Sequence, residues 1–541
     1  MGLCHADGRG SRVERLGQMP EYKATRSLGG KRWTSRRIAW AATAWRLRAG
    51  VGGVDDLRRN LPPSPFPALP IIGHLYLFKK PLYRTLSKIS NRYGPVLLLQ
   101  FGARPVLIVT SPTAAEECLT ANDVVFANRP RLLAGKHLGY NFTSLSWAPY
   151  GDHWRSLRRI SSLEILSSHR LQMLSHIRAD EVRSLVRRLL RSRPDQTVEM
   201  KSLLFELTLN VMMRMIAGKR YYGESLAEVE EARRFREIVR KTFSLGATTS
   251  VSDFVPLMRC FGGKEYEKSL IELQRDRDGF MQNLIEEHRK RATSNCGSCS
   301  LQEDKNKTMI EVLLSLQESE PEFYKDEIIR GLMAVLLAAG IDTSSGTMEW
   351  AMSLLLNHPE VLKKAHIELE NCVGNERLVE ESDLKNLPYL HCILKETLRL
   401  YPAGTLLVPH ESSDECKVSG FNIPRGTMLF VNLWAMQRDP KLWDDPTTFK
   451  PERFKDMEEG MRDGYKLMPF GSGRRGCPGE NLAVRIVELT LGLLIQCFEW
   501  ERVGKELVDM TEGPGLTMPK AHPLQAKCRP RPTMANILSQ I

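Results

Sequence analysis

The sequence predicts a mainly α-helical fold with small β-sheets, and three observations carry that prediction. From Pro112 onward, apolar residues recur at three- and four-residue spacing over long stretches. Strand-like runs are short and confined to 96–109 and 417–433. No stretch repeats another, which excludes a solenoid or a propeller.

The elements follow in order. Residues 1–50 hold eleven Lys or Arg against Asp7, Glu14 and Glu21, so +8 of the formal +13 lies there. The remaining charge is ordinary for the length, and a general nucleic-acid-binding role is excluded. The most apolar part of this leader, 38–45 (IAWAATAW), is far short of the roughly 18 residues a spanning helix needs. An Arg-rich, acid-poor leader fits either a transit peptide or a basic segment outside the working protein. We set 1–55 apart as this leader and 56–70 as a hinge. The hinge is basic at Arg58 and Arg59, and prolines follow at 62, 63, 65, 67 and 70. Each proline fixes its own φ and drives its predecessor extended, giving a stiff, non-helical connector.

The body spans 71–530, with a tail over 531–541. Runs at 96–102 and 105–109 flank Gly102 and read as a hairpin. Helical periodicity marks 181–190, 201–216, 265–291, 311–317, 322–357 and 359–372. Strand-like pieces return at 417–423 and 428–433. The polar segment 295–307 is a surface linker, and its Cys296 and Cys299 read as two loop thiols. Eleven cysteines without regular spacing fit reduced thiols better than disulfides. The sequons at Asn141 and Asn306 then carry no weight.

Four segments carry chemistry. The first is FGSGRRGCPG over 470–479, followed at once by a helical run over 480–498. Its four glycines let the backbone lie flat against something planar. Cys477 sits just before a helix start, where free N–H groups and the helix dipole stabilise a thiolate. Arg475 is placed to neutralise an anion. The alternative is a glycine-rich turn around a buried cysteine.

The second lies in 322–357, apolar throughout 332–341, where Gly340 interrupts and Asp342 and Thr343 follow. A threonine hydroxyl there competes for the carbonyl near Ala339 and opens the helix. An acid and an alcohol in an apolar pocket suit proton delivery, while a helix kink with a solvated acid explains them equally well. The third is Glu396 and Arg399, three apart on one helix face and able to pair, with Arg453 available to complete a cluster. The fourth is Trp154 and Arg158, one turn apart and projecting together toward a buried carboxylate. A basic amphipathic helix is the plainer reading.

Together, and in this order, these segments resemble the cytochrome P450 superfamily over nearly everything from about 58 to 530. The resemblance implies that fold, with haem between a long distal helix and the cysteine loop. It implies Cys477 as axial iron ligand, with Phe470, Gly473, Arg475 and Gly479 at the loop's other signature positions. Asp342 and Thr343 then serve oxygen activation, and Glu396, Arg399 and Arg453 form a structural triad. Trp154, Arg158, Arg475 and His410 hold haem propionates. Ala339, Gly340, Leu406, Leu407 and Leu516 border substrate.

The implied cofactor is haem b, iron protoporphyrin IX, with electrons from NADPH through NADPH-cytochrome P450 reductase, O2 as co-substrate and no nucleic acid. GTMEWAM over 346–352 and the stretch 401–410 resemble plant members that include isoflavone 2′-hydroxylases, which implies a flavonoid-like substrate. Such members sit on the endoplasmic reticulum membrane, facing the cytosol. Here the basic stop remains while the apolar anchor is missing, and plastid import is the rival expectation. Two other functions stand beside monooxygenation: a reductase-independent haem-thiolate isomerase or dehydratase acting on hydroperoxides, and a non-catalytic haem-binding protein. Such isomerases can dispense with an acid–alcohol pair, so Asp342 and Thr343 argue for oxygen activation.

Overall fold

Gly102 turns the predicted hairpin at φ +55°, where an added Cβ would lie 2.2 Å from the Phe254 carbonyl oxygen. Only glycine serves there. The computed structural model that shows this describes residues 60–541 apart from Phe78, 192–195, 224–228, 247–249, 261–262, 295–306, 457–459 and Leu516. The leader 1–55, Cys296, Cys299 and Leu516 therefore lie outside the described residues.

Strands β1 (Val96–Phe101) and β2 (Arg104–Val109) pair antiparallel, Phe101 opposite Arg104. They extend into a four-stranded sheet through β3 (His410–Glu411) and β4 (Met428–Val431), with β4 parallel to β2 and antiparallel to β3. The run expected over 428–433 stops early. Buried Asn432 accepts the Ala435 N–H at 3.1 Å and starts a short helix, Leu433–Met436. Small sheets also join Thr197–Glu199 to Gln525–Pro530 and Phe498–Arg502, and Cys416–Val418 to Phe421–Ile423.

Seven helices position the site: α1 (Asp152–Ile160), α2 (Met200–Ala217), α3 (Gly263–Ser294), α4 (Asp326–Gly340), α5 (Asp342–Asn357), α6 (Pro388–Leu400) and α7 (Glu480–Cys497). The single helix expected over 322–357 is two. It starts only at Asp326, after a turn, and breaks at Ile341 (φ −89°, ψ −68°). Gly340 has a packing reason as well, because its added Cβ would fall 2.8 Å from Met212 Sδ on α2. The stretch 326–357 is long and apolar enough to cross a membrane by composition, but more than half of its most apolar window is buried within the protein.

The longest of the helices beyond the predicted set, among the described residues, is Val229–Gly246. Its buried face of Ala232, Phe235, Ile238 and Val239 lies among eight charged residues, which mask the period in sequence. The segment set apart as a tail is packed: Met534 and Leu538 are buried in the main core with α7 residues such as Leu491 and Leu494. Burying each such side chain contributes roughly 1.5–3 kcal/mol.

Candidate functional site

The 470–479 loop folds on itself before α7 begins. Cys477 donates its N–H to the Phe470 carbonyl at 2.8 Å, and Gly476 donates to that of Gly473 at 3.0 Å. Gly473 adopts φ +68°, and an added Cβ would meet Asp123 Oδ1 at 2.5 Å and the Leu119 carbonyl oxygen at 2.8 Å. Asp123 explains that crowding: it accepts the Arg474 N–H at 3.1 Å and an Arg474 guanidinium N–H at 2.8 Å. The carboxylate thus pins the loop at Arg474. Nothing periodic in sequence marks it.

The Cys477 side chain is accessible to solvent yet closely ringed by protein. Together these place the sulfur at the floor of a recess. Burial pushes its thiol up, while a Gly479 N–H on the sulfur and the charges of Arg158 and Arg462 pull the other way. The net direction is upward, so the helix start alone does not secure the thiolate expected from sequence. A bound cation of high charge reverses that balance.

Guanidiniums gather beside the recess. Arg158 donates to the Gly476 carbonyl at 2.7 Å. Arg475 donates to the carbonyls of Ala127, Leu145 and Ala148, the first at 2.7 Å. Arg129 donates to the carbonyls of Val408 and Pro409 at 2.7 and 2.8 Å, leaving its buried Nε unpartnered. Among the described residues no carboxylate pairs with any of the three. Burial and the neighbouring cation push Arg129 down to about 9 and Arg475 down to about 10. Trp154 differs from expectation, since its ring N–H is spent on the Leu145 carbonyl at 3.0 Å. What it offers is its face, with the Arg475 guanidinium 4.3 Å from the ring centroid. His410 is buried and bonds Phe126 O through Nδ1 at 2.7 Å; burial, then Arg129, hold it well below the usual histidine value and therefore neutral.

At the break between α4 and α5, Thr343 donates to the Ala339 carbonyl at 2.6 Å, the predicted competition. Ala338 and Ala339 are exposed although Leu332, Met333, Ala334 and Leu337 of the same helix are buried, so this face borders open space. The Asp342 carboxylate accepts the Thr517 hydroxyl. Thr343, Asp342, Thr517 and Ala403 line one cavity. Leu407, at φ +53°, lies 3.9 Å from the Cβ position of Gly471 and so reaches the cysteine loop, whereas Leu406 packs into the cluster of Phe101, Phe254 and Phe430. Farther off, Glu396, Arg399 and Arg453 meet as the sequence suggests, with Glu396 and Arg399 fully buried.

A cysteine loop before a long helix, together with a broken apolar helix in a helix-rich body, is the architecture of the haem-thiolate proteins. Comparison with known proteins makes this specific: the Cytochrome P450 family model matches residues 62–525, and the chain belongs to that family. It is 53% identical over 489 residues to Cytochrome P450 81Q32 of Catharanthus roseus, covering 90% of this chain and 95% of the relative. It is 46% identical over 486 residues to an isoflavone 2′-hydroxylase of Glycyrrhiza echinata, covering 89% and 94%. A zebra fish cytochrome P450 solved with progesterone superposes with a TM-score of 0.71 at 25% identity, over 84% of this chain and all of the other.

The chain is therefore a cytochrome P450 monooxygenase, similar to plant isoflavone hydroxylases. Its family implies haem, O2 and electrons from a redox partner. The donor set suits such a group: a soft sulfur at the floor and three guanidiniums without a counter-charge among the described residues match a metal bearing anionic side arms.

Proposed function

We propose that this enzyme hydroxylates an isoflavonoid or a related phenylpropanoid, using haem b held by Cys477. The observation that carries the chemistry is the break at Ile341, which sets Asp342 and Thr343 beside the exposed face of α4. The haem, when bound, supplies oxygen activation and the oxidising power for insertion.

The remaining work belongs to the chain. Cys477 would supply the sulfur that holds the iron, and the Gly479 N–H would temper its charge. Arg129, Arg158 and Arg475 would hold the propionates, the Trp154 ring supports Arg475, and neutral His410 would add a polar contact. Phe470, Gly473 and Gly479 shape the loop against the ring. Thr343 holds a proton at its hydroxyl, and Asp342 supplies it from the solvent side. Ala339, Gly340, Leu407 and Leu516 border the substrate. Leu406 was expected there as well, but its packing against the sheet argues for a supporting place.

Electrons come from NADPH through NADPH-cytochrome P450 reductase. Exposed Arg155 and Arg159 support this, because they lie on the helix whose Arg158 bonds the cysteine loop. The working site is the cytosolic face of the endoplasmic reticulum membrane. Its support is a set of exposed apolar residues, Leu69, Ile71 and Ile72 with Val251, Leu257 and Met258, whose segments flank the β1–β2 turn through hydrogen bonds of Gly102 and Ala103. In this reading 56–70 form the hinge and 71–530 the catalytic body; a fluorescently tagged full-length chain imported into plastids would overturn the reticulum placement.

The deciding experiment is the absorption spectrum of the reduced, CO-bound protein, wild type and Cys477→Ala. A thiolate-type Soret band in wild type and its loss in the variant are expected; a wild type without that band overturns the proposal. Binding difference spectra against a panel of isoflavones then test the substrate class. NADPH turnover that requires the reductase is expected, and turnover on hydroperoxides alone overturns the monooxygenase chemistry.

A further inference from the structure

A C-terminal strap lies along α5. Asn357 exchanges two hydrogen bonds with the Val508 backbone, at 2.8 and 3.0 Å. Glu349 accepts the Leu524 N–H at 2.8 Å, and the Trp350 ring N–H donates to the Met518 carbonyl at 2.7 Å. Asp342 completes the series through Thr517. Positions 342, 349, 350 and 357 share one helical face, so the strap follows the helix for its whole length. Between its ends the strap is a hairpin: Glu512 bridges Lys520, Gly513 donates to Pro519 at 2.7 Å and Ala521 donates to Thr511 at 2.9 Å.

The base of this hairpin is clamped. The Glu512 side chain, 4% exposed, accepts from the Trp434 ring at 2.9 Å and from Arg84 at 2.9 Å. The other hydrogen bonds to α5 reach the strap's main chain, and the Lys520 ammonium, beside the clamped base, lies 4.6 Å from the Trp350 ring centroid. At the tip, by contrast, a single side-chain hydroxyl meets a single carboxylate, in the cavity that Thr343 also lines.

We infer that Thr517 is a positioning residue: its hydroxyl holds the Asp342 carboxylate in the pose from which the acid serves Thr343. This rests on the reading that Asp342 delivers protons.

The test uses the haem-loaded enzyme with its reductase and the isoflavone daidzein, in wild type, Thr517→Val, Thr517→Ser and Asp342→Asn. Two quantities are read: amide hydrogen exchange over 513–519, and hydrogen peroxide released per NADPH consumed. Thr517→Val and Asp342→Asn are each expected to speed exchange at the tip by about tenfold, and the double variant by no more than either. Thr517→Val is also expected to raise peroxide release severalfold toward the Asp342→Asn level, with daidzein affinity within about twofold of wild type. Thr517→Ser restores both. Wild-type peroxide release in Thr517→Val, with Asp342→Asn uncoupled, overturns the inference alone. Wild-type release in Asp342→Asn overturns the proton-delivery reading, and the inference with it.

Discussion

Arg399 donates to both carboxylate oxygens of Glu396, at 2.6 and 2.8 Å, and neither side chain has any exposure to solvent. Arg453 and the Lys450 N–H each add a bond to the same carboxylate at 3.0 Å. Arg399 also ties two distant carbonyls, Gln437 at 2.6 Å and Pro446 at 2.8 Å. Arg399→Ala leaves a buried carboxylate short of its main partner, and urea unfolding should show a loss of about 3–5 kcal/mol. Arg399→Lys should recover little of it, because an ammonium cannot bond both oxygens in parallel.

Gly473 offers a second test. Any side chain there must adopt φ +68° and enter the space of Asp123 and Leu119. Gly473→Ala is expected to cost about 1–3 kcal/mol from the backbone conformation alone. Thermal unfolding should show it, with Gly504→Ala as control, since nothing lies within 4 Å of that Cβ position. The loop itself should loosen, read as a reduced-CO band moving away from the thiolate type.

Arg129 separates cofactor binding from folding. Its charge faces Arg475 and, among the described residues, has no carboxylate. Arg129→Met should therefore leave the haem-free protein as stable as wild type or more so. Haem should leave the loaded variant faster, by about tenfold if one charged hydrogen bond is lost. Transfer to a haem-scavenging protein measures the second effect and calorimetry of the haem-free protein the first.

Asp326 gives a pH signature. It opens α4 and accepts Arg289 at 2.5 and 3.0 Å, Gln282 at 2.7 Å and Gln317 at 3.1 Å. Arg289 foremost holds this carboxyl well below the usual carboxylate range. A depressed folded value means that the charged form is favoured by folding. The stabilisation is complete above the usual aspartate value near 3.8 and disappears as pH falls below it toward the folded value. Asp326→Asn should lose about 1 kcal/mol at neutral pH and flatten the acid limb of the stability curve, measured by urea unfolding from pH 7 to pH 3.

Local chemistry made much of this legible in advance. The glycines and cysteine of 470–479, the acid–alcohol pair after Gly340 and the i, i+3 spacing of Glu396 and Arg399 are contiguous, and spacing alone relates such groups. The helix 359–372 was read to the residue, because Pro359 opens it and its apolar period is clean. Val229–Gly246 was missed because charge hid its period, and the break at Ile341 was placed one residue early because the interrupting glycine drew the boundary to itself.

The sequence by itself determined the helical class, the cysteine loop and the acid–alcohol pair, since each depends on neighbours along the chain. Tertiary structure alone decided the rest. Arg129 and Arg475 are 346 positions apart, Asp123 and Gly473 are 350 apart, and Asp342 meets Thr517 across 175. No period or propensity relates residues so distant in sequence. What joins them is the packing of α5, α7 and the sheet around one recess, where buried charges and carbonyls take the partners that folding brings within reach.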